Sequence, residues 1–164
     1  MSRPGAPNAT ARVRDPDFER RVRASFARQG AMRTLGASLA RVAPGEVDVV
    51  LPFGDALTQQ HGLLHAGVAA AVVDSACGYA ALTLMEPGAA VLSVEFKVQL
   101  LAPARGAWFR AAGRVVRAGR TLTVVAGELW AHADEPADEA AAGTLTTLMH
   151  GTMMAVRDRP ELAD

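Results

Sequence analysis

The chain has 164 residues, half of them hydrophobic, which suits one domain with a substantial core. Its 17 Lys and Arg residues balance 17 Asp and Glu residues, so no surplus of either sign favours nucleic acid, and we expect no nucleic-acid partner. Cys77 is the single cysteine, which excludes an intramolecular disulfide and paired-cysteine metal sites and favours a reducing, cytoplasmic setting.

The first third of the chain predicts a short helix and a hairpin. Residues 1–14 lack the apolar core of a secretory signal, and we expect them to be loosely ordered. Asp15-Pro16 is typical of a helix start, and apolar residues then recur every fourth position, which predicts an amphipathic helix ending near Gly30. From Thr34 to Leu51 the pattern predicts two strands around a Pro44-Gly45 turn.

A nearly continuous apolar run from about Ala66 to Met85 predicts a long central helix, which Glu86-Pro87-Gly88 would end. Asp74 lies near its centre and would be penalised by roughly 2.5 to 3.5 kcal/mol in a bilayer. We therefore expect burial in protein and no membrane association. Because the helix is apolar nearly all round, it needs cover on more than one side.

The remainder of the chain predicts strands. Alternation between Ser93 and Leu100 predicts a half-buried strand with one wet face, and further strands are predicted at 108–117, 121–131 and 144–156. An acidic loop at 134–142 precedes the last of them. The order predicts an α+β domain over residues 15–158, with a curved antiparallel sheet of five to six strands wrapped around the helix, and a tail at 159–164.

Asp74 is the most informative residue, because a carboxylate inside an apolar helix costs several kcal/mol unless it is paired. We interpret it as a reagent. The alternative is a buried carboxylate that accepts hydrogen bonds for structural reasons. Cys77 and Tyr79 lie on the same helix and are predicted to pack in the core.

A recognisable pattern is carried by the following residues: Gln59-Gln60-His61-Gly62-Leu63-Leu64-His65-Ala66-Gly67, Asp74, Ser93-Val94-Glu95-Phe96 and Leu101-Ala102-Pro103-Ala104. With them the chain resembles the hot-dog-fold acyl-CoA thioesterases of the PaaI-like, phenylacetate-degradation type over about Leu35 to Val156. In family members a polar amide residue lies six positions before the His of an HGG turn, and an acid lies nine positions after it. Gln59, His65 and Asp74 reproduce both intervals.

The resemblance implies hydrolysis of an acyl-CoA thioester, with coenzyme A as part of the substrate and no metal or other cofactor. The first amides of a helix have no internal acceptor and carry partial positive charge, so the N–H groups of Ala66 and Gly67 can hold an oxyanion. Asp74 would attack the carbonyl or activate water, and the sequence leaves both routes open. Gln59 would position the thioester or the water, and the alternative is that it is an ordinary loop amide. His65 would either shape the turn or take part directly in the chemistry.

Two positions depart from the family pattern. Ala66 replaces the first Gly of the HGG turn, which is harmless at a helical φ and obstructive at a positive one. Gly78 stands where the aryl-CoA branch has an assisting Thr. Ser93 resembles the strand hydroxyl with which other members orient water. The alternative is that Ser93 is a simple surface hydroxyl. Arg117 and Arg120 are candidates for binding the coenzyme A phosphates, or are solvated residues of a hairpin end.

The predicted spacing requires a second subunit. Asp74 follows Gly67 by seven residues, which is about 10 Å along a helix axis, so one chain cannot present both groups to one substrate carbon. Two dyad-related helices could, so we expect a homodimer, and the resemblance implies pairing into tetramers. The alternatives are an acyl-CoA hydratase or dehydratase on the same fold, and a non-catalytic acyl-CoA binding protein.

Overall fold

The computed structural model describes residues 12–133, 143–159 and 161–162. The acidic loop predicted at 134–142, and parts of the predicted terminal segments 1–14 and 159–164, lie outside these residues. In chain order the elements are α1 (Phe18–Arg28), α2 (Gly30–Leu35), β1 (Ser38–Ala43), β2 (Glu46–Pro52), a short 3-10 turn (Asp55–Leu57), α3 (Ala66–Leu82), β3 (Ala90–Leu100), β4 (Trp108–Ala118), β5 (Leu122–His132) and β6 (Thr144–Val156).

The six strands form one sheet in the order β1-β2-β4-β5-β6-β3. Every neighbouring pair is antiparallel, as predicted. The chain leaves β2 through α3 and returns as β3 on the far side of the sheet, so β1 and β3 are the two edge strands. This crossing places α3 over the face of the sheet.

Helix α3 contacts β2, β3, β4, β5 and β6, together with α1. The sheet approaches it closely at Gly113 of β4, where a Cβ atom would overlap the backbone of Ala76, and at Gly127 of β5, where it would lie 2.7 Å from the Cys77 sulfur. Eleven of the 17 residues of α3 are buried, which accounts for its apolar character on all sides. The predicted α+β hot-dog architecture is confirmed.

Helix α1 is fastened to the end of α3 by a buried arginine. The Arg21 guanidinium donates hydrogen bonds to the carbonyl oxygens of Leu82 (3.0 Å), Met85 (2.8 Å) and Glu86 (2.5 Å). Its Nε lies 3.2 Å from a carboxylate oxygen of Asp15, and both side chains are 8% exposed. Arg21 thus ties α1 to the last residue of α3 and to the turn that follows it, and holds α1 in a fixed position.

The structure corrects three sequence predictions. Residues 34–35 belong to helix α2, and strand β1 starts only at Ser38. Helix α3 ends at Leu82, three residues before the predicted end. Strand β3 is not half-buried, because Val94 is 53% exposed, Phe96 44% and Leu100 59%. The last difference follows from the position of β3, which lies at a sheet edge and has a neighbouring strand on one side only.

No helix in the described part of the chain combines the length and the apolar character that a membrane span needs.

Candidate active site

Asp74 lies in the middle of α3 and faces strand β3. Its Oδ1 accepts a hydrogen bond of 2.7 Å from the hydroxyl of Ser93. The register of β3 shifts just after Ser93, since Ser93 pairs with Met153 and Glu95 with Thr152 of β6, leaving Val94 as the extra residue of a bulge. Two residues that the sequence analysis singled out separately are therefore in direct contact.

The environment of Asp74 makes its carboxylate more basic than a solvated one. Burial raises the pKa of Asp74, and the hydrogen bond from Ser93 lowers it, with burial the larger effect. The same burial, with the nearby Asp74 charge, raises the pKa of the Cys77 thiol to about 12. Cys77 is fully buried, which agrees with its predicted place in the core.

The start of α3 is shaped by His65, which is its N-cap residue. The ring Nδ1 accepts a hydrogen bond of 2.9 Å from the backbone N–H of Gly67. A Cβ on Gly67 would lie 3.1 Å from that ring nitrogen, so glycine leaves room for the ring. His65 therefore shapes the turn, and the Gly67 amide that we predicted as an oxyanion donor is paired with it in this structure.

Ala66 presents the neighbouring amide. Among the described residues no acceptor bonds to its N–H, whereas the N–H groups of Val68 and Ala69 both donate to the His65 carbonyl. The only non-glycine residue with a positive φ in the described part of the chain is Asp158, so Ala66 has a negative φ and its Cβ meets no backbone penalty. Ala66, Gly67 and His65 are all exposed at the surface of the single chain.

Gln59 belongs to the tight loop that leads into α3. Its Oε1 accepts a hydrogen bond from the His61 N–H. Its backbone N–H donates to Leu63 (2.8 Å), and its carbonyl accepts from Gly62, which has a φ of 72°. The side chain thus stabilises its own loop in this structure. No described contact joins Gln59 to Asp74.

The two halves of the predicted reaction centre lie apart on one chain. Helix α3 is continuous from Ala66 to Leu82, so the axial distance from Gly67 to Asp74 is about 10 Å, as expected. Arg117 and Arg120 are exposed at the turn between β4 and β5, and the Arg120 carbonyl accepts a hydrogen bond from Arg157. The structure brings Asp74 and Ser93 together and keeps Gln59 in the loop beside the start of α3, and no described contact joins Arg117 or Arg120 to either place.

A cleft of about 240 Å³ opens beside Asp74 and Ser93. Helix α1 and the residues after it contribute Ser25 and Gln29, and α3 contributes Ser75, Gly78 and Tyr79. The cleft is completed by Ala90, Val91 and Leu92 of β3 and by Leu162. Sequence reasoning missed Ser25, Gln29 and Ser75, because no spacing within the chain relates α1 to the middle of α3.

A metal site needs several ligand side chains close together. Among the described residues, no group of three or more His, Cys, Asp or Glu side chains is arranged to hold a metal ion. The His132 ring, which is 4% exposed, is stacked on Trp108 with ring centroids 4.0 Å apart and lies at the opposite end of β5 from the turn to β4. The groups that surround Asp74 are hydroxyls, an amide and apolar side chains.

Comparison with known proteins identifies the family. Residues 61–137 match the model of the thioesterase superfamily. The chain is 48% identical to a thioesterase family protein from Silicibacter pomeroyi, whose crystal structure superposes with a TM-score of 0.80 over 85% of this chain and 98% of that chain. This chain belongs to the thioesterase superfamily.

Two more distant relatives share the fold or part of the sequence. The Escherichia coli PaaI protein from the phenylacetic acid degradation operon superposes with a TM-score of 0.72 over 85% of this chain and 94% of that chain, and at 16% identity the likeness shows the fold alone. A Halobacterium salinarum protein named as a candidate esterase is 36% identical over 100 residues. That match spans 58% of this chain and 66% of the relative's length.

Proposed function

We propose that this protein hydrolyses the thioester of an acyl-CoA, aryl or medium-chain, to the free acid and coenzyme A, and that it belongs to the PaaI-like group of the superfamily. The observation that carries the proposal is the Asp74 carboxylate, which lies in an apolar helix at the edge of a cleft and is bonded to the Ser93 hydroxyl. A carboxylate with a raised pKa beside a cavity is a typical nucleophile or general base.

The chemistry can follow either of two routes. As a base, Asp74 takes a proton from water, whose oxygen bonds to the carbonyl carbon; the C–S bond then breaks and the coenzyme A thiolate receives the proton. As a nucleophile, Asp74 bonds to the carbonyl carbon and expels the thiolate, and water hydrolyses the mixed anhydride. Ser93 orients the carboxylate in both routes.

The oxyanion donors come from the start of a partner subunit's α3, since those of the same chain lie about 10 Å away along the helix. The Ala66 N–H, which has no acceptor among the described residues, is the first donor. The Gly67 N–H becomes the second when its bond to His65 opens, and Gln59 assists in positioning the thioester once the dimer has formed.

Strand β3 supplies the surface for this dimer. It is an edge strand, so within the described ranges one row of its backbone N–H and C=O groups has no neighbouring strand, and it exposes Val94, Phe96 and Leu100. A free edge with apolar side chains pairs readily with a second copy. Antiparallel pairing of two β3 strands would continue the sheet across a dyad and bring Asp74, which contacts β3, to the interface. Pairing of two such dimers would give the tetramer that the resemblance implies.

The test is release of coenzyme A thiol from a panel of acyl-CoA esters by the wild-type protein and by Asp74→Asn. This variant preserves the shape of the side chain and its bond to Ser93 but removes the base. We expect turnover to fall by at least about a hundredfold with folding retained. Asp55→Asn, at an exposed position of the 3-10 turn, serves as the matched control and should hydrolyse as the wild type does.

Three outcomes separate the candidates. Hydrolysis by Asp74→Asn at the wild-type rate would remove Asp74 from the mechanism. Tight binding of esters with no thiol release would indicate a binding protein. Addition of water to an enoyl-CoA would indicate a hydratase.

A further inference from the structure

Strand β3 carries opposite charges on either side of Phe96. Glu95 and Lys97 are both exposed, and because they lie two residues apart on a strand, their side chains point to the same face of the sheet. Phe96, which is 44% exposed, points to the other face. That face is the one that α3 covers, since Val98 shares it and pairs with the fully buried Met149. The two faces of β3 therefore present different chemistry at this edge of the sheet.

Neither charge is neutralised within the described part of the chain. Lys97 has no ion pair with a described residue, and its cross-strand partner is His150, which carries no negative charge in either protonation state. Glu95 accepts a hydrogen bond of 2.6 Å from the uncharged hydroxyl of Thr152. Both charges are therefore available to a second chain at this edge.

Twofold symmetry restricts how two copies of β3 can pair. In an antiparallel pair with the axis at one residue, the residue before it lies opposite the residue after it in the partner. An axis perpendicular to the sheet at Phe96 therefore sets Glu95 opposite the partner's Lys97, and Lys97 opposite the partner's Glu95. An axis at Glu95 or at Lys97 would instead place two like charges opposite each other, which is destabilising.

An axis at Phe96 also suits the proposed reaction centre. The partner's residues after Phe96 then run beside the residues before it in this chain, which include Ser93, the hydrogen-bond donor to Asp74. Strand β3 leads to Ala104, whose carbonyl accepts a hydrogen bond of 3.1 Å from the Leu64 N–H, just before α3 starts. The start of the partner's α3 and the Asp74 of this chain therefore lie on the same side of the axis.

We infer that two copies of this chain pair antiparallel through β3 about an axis at Phe96, with reciprocal ion pairs between Glu95 and the partner's Lys97. The inference rests on the proposed function, which needs a partner subunit, and it specifies the contact that positions this subunit. Phe96 and the partner's Phe96 meet at the axis on the α3 side of the sheet. The ion pairs lie on the outer side, and because the interface is isologous each of them occurs twice.

Cysteine cross-linking tests the position of the axis. Residues directly opposite in an antiparallel pair have Cα atoms about 4.5 to 5.5 Å apart, which a disulfide can span. Under mild oxidation Phe96→Cys should therefore form a covalent dimer, whereas Glu95→Cys and Lys97→Cys, whose copies lie about 7 to 8 Å apart, should not. The wild type is the control for Cys77, which is fully buried. Failure of the folded Phe96→Cys protein to cross-link would overturn the inference.

Charge exchange gives a second test that needs no disulfide. Lys97→Glu sets carboxylates opposite each other at both ends of the axis residue, and should raise the dimer dissociation constant by about tenfold or more. Glu95→Lys should weaken the dimer in the same way. The double variant Glu95→Lys/Lys97→Glu restores opposite charges and should return the constant to within about threefold of the wild-type value. Sedimentation over a range of protein concentrations measures these constants, and no recovery in the folded double variant would overturn the inference.

Release of coenzyme A thiol, measured on the same proteins, separates this inference from the proposed hydrolysis. A dimer that cross-links at position 96 and responds to charge exchange as expected, but hydrolyses no ester, would keep the pairing and overturn the hydrolysis. A hydrolase whose dimer cross-links at position 95 or 97 would overturn the pairing alone. A monomeric wild type would overturn both the pairing and the shared reaction centre.

Discussion

Ser93 donates its hydroxyl proton to Oδ1 of Asp74 over 2.7 Å, although 19 residues of chain separate the two. Helix α3 supplies the carboxylate and the edge strand β3 supplies the hydroxyl. The contact opposes the effect of burial on the Asp74 pKa: the hydrogen bond favours the ionised carboxylate, and burial favours the protonated form.

The first prediction concerns the pH dependence of hydrolysis. Both proposed routes need ionised Asp74, so kcat/KM should fall on the acid side at an apparent pKa above the ordinary value of 3.8. Ser93→Ala removes the bond that lowers the pKa, and the acid limb should therefore move to higher pH, with a lower rate below the new limb. Rate profiles of the two proteins over the acid range test this, and coincident limbs would contradict it.

A second prediction concerns the edge strand. Leu100→Asp places a charge on β3, where the side chain is 59% exposed in the single chain, and should shift the protein from dimer toward monomer and lower the activity with it. Leu122→Asp makes the same change at a 50% exposed position at the start of β5 and should leave the dimer intact. Sedimentation velocity of the two variants measures their oligomeric states. A dimeric Leu100→Asp protein would show that the interface lies elsewhere.

The anchor between α1 and α3 supports a prediction about stability. Arg21→Met leaves Asp15 and three carbonyl oxygens without their buried partner, and should lower the free energy of unfolding by about 3 to 5 kcal/mol. Arg23→Met, two residues along, removes an exposed ion pair with Glu19 and should cost at most about 1 kcal/mol. Urea unfolding of both variants provides the comparison, and equal losses would show that the Arg21 contacts do not fix α1.

The fourth prediction is that Cys77 does not react in the native protein. Its thiol is fully buried, and a pKa of about 12 leaves almost no thiolate near neutral pH. A disulfide reagent should therefore titrate no thiol until denaturant is added, and then one per chain. Rapid reaction of the native protein would mean that the region around α3 opens and exposes the Cys77 thiol. The exposed thiol would then also interfere with assays that detect the coenzyme A thiol.

Much of the fold was predictable because local physical rules govern it. The apolar run that forms α3, the alternating residues of β2, the Pro44-Gly45 turn and the strands predicted at 108–117, 121–131 and 144–156 all appear within a few residues of where the sequence places them. The family resemblance located Asp74 and Ser93 by spacing and by strand position. Helix α2 was missed because six residues starting with glycine show no helical period that distinguishes them from a strand.

Burial and contact between distant segments were decided only by the tertiary structure. The alternation along β3 is the pattern of a half-buried strand, yet its apolar side chains are exposed because the sheet order places β3 at an edge. Gln29 and Ser75 meet because Arg21 fastens α1 to the end of α3. A periodic pattern indicates which side chains favour burial. Which residues cover them depends on how the helices and strands pack against one another.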